Sequence, residues 1–122
     1  MKQEEPTRNY MQEIFYTCKE GLLNQMQKPV KRSGAYPLID DFGNRCALGF
    51  LLPDDFIGKF KCGLIDIGEH MDIPVKELCK KDYYHLAVSL QKLHDFSCVY
   101  LWSKGLDQIQ EDYNIPDLET IT

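Results

Sequence analysis

Apolar residues recur at helical spacing in three places along the chain. Met11, Ile14, Phe15, Cys18, Leu22 and Met26 follow three- and four-residue steps, with Thr7 placed to cap that helix and Pro29 and Gly34 placed to close it. Gly21 lies inside this stretch and costs it about 1 kcal/mol relative to alanine, so packing has to hold that turn. Asp82 caps a second predicted helix, from Tyr83 to about Phe96, whose Tyr83, Leu86, Ala87, Leu90 and Leu93 share one face. Ser97 caps a third. Its stripe is Cys98, Trp102, Leu106, Ile109 and Tyr113, and Asn114 and Pro116 end it.

The pattern changes between the first two helices. "AYPLIDDFGNRCALGFLLP" sets two short apolar runs on either side of Asp41, Phe42, Gly43 and Asn44, which is turn chemistry. The spacing predicts a β-hairpin around residues 36–51, with its second strand starting near Arg45 and a helical turn near Asp54 to Ile57. The alternative is that "CALGFLL" opens a short buried helix, which Pro53 would end. "GKFKCGLIDIGEHMDIP", with its three glycines, reads as a loop holding a short helical piece. "EHMDIPVKE" and "EDYNIPDLE" share Glu, Ile, Pro and Glu at equal offsets; both read as helix exits into an X-Pro turn, and their flanks do not match as duplicates would. The expected fold is therefore α+β: one mostly helical domain over residues 1–122, with three main helices and a short hairpin. Residues 1–6 and 117–122 are expected to fray.

Composition narrows the function classes. Hydrophobic residues make up 43% and charged residues 27% of the 122, an ordinary globular balance. A net charge of −5 argues against non-specific binding to nucleic acid, which needs a basic surface. One local basic cluster, Lys28, Lys31 and Arg32, reads as a solvated loop after a helix, with a phosphate site as the sharper alternative. Cys18, Cys46, Cys62, Cys79 and Cys98 stand singly with no CxxC pair, the usage of a reducing cytoplasm. The start lacks the apolar core of a signal peptide and no stretch reaches the length of a membrane span. The expectation is a cytoplasmic protein that engages no membrane.

Candidate chemistry is sparse. His94 and Cys98 are four residues apart, but a structural zinc site needs four ligands and no second pair is visible, so no metal is expected. Cys46 follows Arg45, whose charge would favour a thiolate, and His94 with Asp95 could supply a base and its orienting carboxylate. A cysteine between Arg45 and "ALGFLL" is also an ordinary buried residue. Asp40–Asp41 and Asp54–Asp55 sit where aspartate suits a turn and a helix start, and they do not match a calcium loop. No GxGxxG, Walker or GxSxG pattern is present, and no cofactor is expected.

"GNRCALGFLLPDDF", residues 43–56, resembles a block of small phage and prophage proteins that carry a G-x-x-CAIG-x-LIPDD phrase after a helix and a turn. "LQKLHD" at 90–95 and the tryptophan-bearing helix ending "QEDYNI" are similar to the C-terminal half of that group, so the resemblance spans about residues 10 to 115. Leu48 and Phe50 depart conservatively from the phrase, and Lys59 and Lys61 are basic where the group is acidic. The resemblance implies origin in a mobile element. It also implies a protein that acts by binding, including by blocking a host defence, in the host cell cytoplasm.

Two classes follow. The first is a non-enzymatic binding protein that sequesters a host defence protein or a small nucleotide-like signal; the second is a small enzyme using Cys46 with His94. The absent catalytic motifs favour the first, with no catalytic residues assigned. Its candidate ligand- or partner-binding residues are Arg45, Tyr36, Arg32, Asp54, Asp55, His94 and Trp102. The guanidinium fork of Arg45 can hold a carboxylate or phosphate, or brace Asp54 or Asp55. Trp102 reads first as core; the alternative is an aromatic patch offered to a partner, a second copy included.

Overall fold

The computed structural model describes residues 9–31, 39–52, 71–78 and 80–117. Helix α1 runs over Tyr10–Gln25 and buries Ile14, Phe15, Cys18 and Leu22. Thr7 lies outside the described residues, and Asn9 is the cap: its side chain accepts the Gln12 backbone N–H at 2.9 Å. Met26 is not the last turn of the buried stripe. It is the left-handed C-cap (φ 49°), its N–H reaching the Leu22 carbonyl, and its side chain is exposed.

The predicted hairpin does not form, and the α+β assignment is overturned. Among the described residues the chain is helical, with no strand and a single isolated bridge between Ile39 and Arg45. The reason lies in what takes up the backbone groups. The side-chain amide of Gln25, at the end of α1, accepts the Arg45 N–H and donates to the Arg45 carbonyl, each at 2.8 Å. One amide thus does for Arg45 what a neighbouring strand would have done. The chain then turns into a tight 3₁₀ turn at Leu48–Leu51. Arg45 Nη1 donates to the carbonyls of Gly49 at 3.0 Å and Leu52 at 2.7 Å, closing the end of that turn. The helical reading of "CALGFLL" is the one realised, in a single turn. The expected turn at Asp54 to Ile57 lies outside the described residues.

After a four-residue helix α2 (Val75–Leu78), α3 runs over Lys81–Phe96 and α4 over Trp102–Asp112. Asp82 does not cap α3; it sits in the first turn, where its charge suits the helix N-terminus. Ser97 ends α3 rather than starting α4, its N–H bonding the Leu93 carbonyl, and a 3₁₀ turn at Val99–Leu101 leads into α4. The two Ile-Pro exits share one device: Asp72 and Asn114 both take left-handed backbone (φ 56° and 52°), and the isoleucine after each is buried. Turn chemistry accounts for the repeat.

Helices α3 and α4 pack antiparallel. Leu93 meets Gly105, and Ser89 Oγ lies 2.9 Å from Tyr113 Oη. The start of α1 meets the end of α4, where Gln12 Nε2 donates to the carbonyls of Pro116 and Asp117 and Gln110 Nε2 donates to Tyr16 Oη. So α1 and α3 run parallel, and their C-terminal ends lie beside the start of α4. Trp102, Phe15, Leu22, Leu86, Leu90 and Leu106 are the large fully buried residues at the centre.

Gly21 shows why α1 tolerates a glycine. A Cβ there would run into the ring of Phe50, so the missing methyl lets the Leu48–Leu51 turn lie against the helix backbone. Gly21→Ala should lose about 1–3 kcal/mol by overpacking, the opposite sign to the gain of about 1 kcal/mol that helix propensity alone predicts; urea melts measure it. Gln25→Leu should lose about 2–4 kcal/mol, because it strands both the N–H and the C=O of Arg45. A loss no larger than that of Asn24→Leu, at an exposed position of the same helix, would remove Gln25 from this role.

Candidate functional site

The turn before Arg45 is built around one carboxylate. Asp40 accepts the N–H groups of Phe42 and Asn44 at 2.8 Å each through Oδ1, and the Val30 N–H at 2.9 Å and Asn44 Nδ2 at 3.3 Å through Oδ2. Gly43 supplies the positive φ (83°) the reversal needs. Burial pushes the carboxyl of Asp40 up, but the backbone hydrogen bonds from Val30, Asn44 and Phe42 outweigh it and hold the group below its ordinary range. Of the Asp40–Asp41 pair, only Asp41 is exposed. Asp40 is a structural hub.

Arg45 is half-buried, and its Nη1 serves the carbonyls of its own segment. Arg32, Tyr36, Asp54 and Asp55 lie outside the described residues. Of the basic cluster, Lys28 reaches across to the Asp95 carbonyl at 3.3 Å, so this loop is tied to the end of α3.

Cys46 and His94, the pair of the enzyme reading, are both buried. Burial pushes the Cys46 thiol up to about 11; hydrogen bonds from Gly49, Leu48 and Gln91 oppose it, and the negative charge of Asp95 adds to it. At neutral pH the sulfur is a thiol, not the thiolate a nucleophile needs. His94 donates from Nδ1 to Asp95 Oδ1 at 2.7 Å, and its ring stacks on Trp102 with centroids 5.5 Å apart and planes 25° from parallel. Burial lowers its pKa, the hydrogen bond and charge of Asp95 oppose that, and the positive charge of Lys28 adds to it. The imidazole is neutral. Trp102 is fully buried, and its Nε1–H has no hydrogen-bond partner among the described residues.

Cys98, expected on the buried stripe of the last helix, is exposed, whereas His94 is buried. Among the described residues no three His, Cys, Asp or Glu side chains come together as metal ligands, and no helix is long and apolar enough to cross a membrane.

What is exposed is more telling. Phe96 (83%) and Tyr100 (84%) stand almost fully in solvent where α3 ends, with Leu101 beside them, and Phe42 (80%) and Val30 stand out from the neighbouring loop. The two groups are connected: Lys28 ties the loop to Asp95, and Asp40 holds the backbone N–H groups of both Val30 and Phe42. The signal for the first group was present in the sequence, since Tyr100 and Leu101 fall off the Trp102–Leu106–Ile109 stripe. Compared with known proteins, the chain matches no family model, no curated protein and no solved structure.

The neutral, buried imidazole makes a pH prediction. An unfolded histidine titrates near 6.5, and the folded value lies below it. As pH falls through about 6.5 the unfolded chain takes up a proton that the folded chain refuses, so stability present above that pH is progressively lost. The melting temperature should drop between pH 8 and pH 5, and His94→Asn should flatten the slope whatever its effect on the plateau. An unchanged slope in the variant would mean that His94 is not the titrating group.

Proposed function

We propose that the protein is a non-enzymatic binding protein of phage type that blocks a host defence protein by holding it, in the host cytoplasm. The observation that carries this reading is the distribution of side chains. The thiol and imidazole an enzyme would use are packed inside the core, whereas four large apolar residues of one end, Phe42, Phe96, Tyr100 and Leu101, face solvent. Exposed aromatic side chains in one region mark a recognition surface on a small protein. The phage-like phrase at residues 43–56 supports the counter-defence role.

A nucleotide-like signal is the lesser alternative. It would need cationic forks aimed outward, and Nη1 of Arg45 is engaged by the Gly49 and Leu52 carbonyls. The net charge of −5 likewise suits a protein target better than a phosphate-bearing one.

The test is a plating assay on host strains that each carry one defence system and express graded amounts of the protein. A blocker that works by occupancy should protect phage in proportion to its amount relative to the defence protein, and Cys46→Ala should leave that protection unchanged. Protection at far below equimolar amounts, abolished by Cys46→Ala in a variant that still melts cooperatively, would establish the enzyme instead. Nucleotide released on heating the purified protein, detected by mass spectrometry, would establish the small-signal reading.

A further inference from the structure

The exposed aromatic residues at this end of the bundle are flanked by lysines. Lys92 is exposed one helical turn before Phe96, on the same face of α3. Lys104 is exposed in the first turn of α4, four residues after Tyr100 and three after Leu101. Lys31 is exposed beside Val30, and Lys28 lies against the end of α3. Two carboxylates at this end keep their charge but are turned to neutral partners rather than to solvent: Asp40 holds the turn, and Asp95 accepts from His94 and from Gln91. Asp41 is exposed there, as are Glu20 in the C-terminal half of α1 and Asp107 one turn after Lys104. Carboxylates dominate the sequence after this end: no lysine or arginine follows Lys104, whereas Asp107, Glu111, Asp112, Asp117 and Glu119 do.

We propose that this end of the bundle, centred on Phe96, Tyr100 and Leu101 and flanked by Lys92 and Lys104, docks a protein partner that presents apolar side chains among carboxylates. The inference rests on the binding reading above and names the chemistry of the partner. Size supports it. Phe96 and Tyr100, each exposed by about four-fifths, and the half-exposed Leu101 offer roughly 400 Å², the size of an apolar patch that on a small protein is often functional.

Charge selects among occupants. A second copy docked symmetrically would set the same lysines against each other, because a two-fold interface is self-complementary. Nucleic acid would find aromatic rings, but also aliphatic Leu101, which gives no base a face to stack on. An acidic, apolar protein surface meets both features at once: its carboxylates answer the lysines and its apolar side chains cover the rings.

The experiment is an amide-resolved NMR titration of the full chain with three probes of equal length. One is an amphipathic peptide of leucine and glutamate, one the same peptide with glutamine for glutamate, and one an oligothymidylate. The glutamate peptide should shift the amides of residues 92–104 and spare the opposite end, near Gln12 and Asp112. Its affinity should fall about tenfold or more on replacing glutamate by glutamine, and again in a Phe96→Ser, Tyr100→Ser double variant, a change of about 1.4 kcal/mol each time. Both replaced side chains stand in solvent, so the melting temperature of that variant should be unchanged.

Several results would overturn the proposal: no shifts at residues 92–104, equal affinity for the glutamine peptide, or tighter binding of oligothymidylate. So would shifts of the same residues on raising the protein concentration without any probe, which would make the occupant a second copy. Failure here with protection still stoichiometric in the plating assay refutes this surface and leaves the binding reading standing. Binding of the glutamate peptide without protection does the reverse.

Discussion

An irregular stretch of chain can enter a helical core only if something other than a ladder takes up its N–H and C=O groups. The segment from Ile39 to Leu52 meets that requirement with three side chains. Gln25 pairs with the backbone of Arg45, Asp40 gathers the N–H groups of its own turn and of Val30, and Arg45 closes the carbonyl end of the Leu48–Leu51 turn. Everything nearby depends on that arrangement. It brings Phe50 onto Gly21, puts Cys46 and Ala47 in the core, and leaves Phe42 at the tip with nothing to cover it.

The same constraint explains why the chemically suggestive residues do not assemble a reactive site. Cys46 is carried inward by the turn, and His94 by the buried face of α3 against Trp102. Desolvation then keeps both in their neutral forms, the thiol protonated and the imidazole unprotonated. Groups that would need to exchange protons with a substrate are held as packing elements, with Asp95 and Gln91 as their hydrogen-bonding neighbours. The residues able to meet a partner are those the core had no place for.

The three helical stripes were legible in the sequence because a 3.6-residue period survives any detail of packing. Ile14, Phe15, Cys18 and Leu22, then Tyr83, Leu86 and Leu90, then Trp102, Leu106 and Ile109 all face inward as that period requires. The two Ile-Pro exits were legible for a similar reason, since the backbone of one residue and the burial of the next are local matters. The candidate surface was only half legible. Tyr100 and Leu101 lie off their stripe, but Phe96 and Phe42 look in the sequence like any other apolar residue in a run.

What the amino-acid sequence determined by itself is therefore the three long helices and the buried face of each, but not the residues that cap them. What only the tertiary structure decided is the fate of the stretch between them. Two short apolar runs around Asp41, Phe42, Gly43 and Asn44 are compatible both with a hairpin and with a 3₁₀ turn, and the choice rests on partners distant in sequence. Gln25 is twenty residues from Arg45, and as a polar residue at the end of a helix it carries no mark of its role. Hydrogen bonds between a side chain and a remote backbone leave no periodicity to read. They exist only once the helices have packed, and it is they that turned a predicted strand into a buried turn.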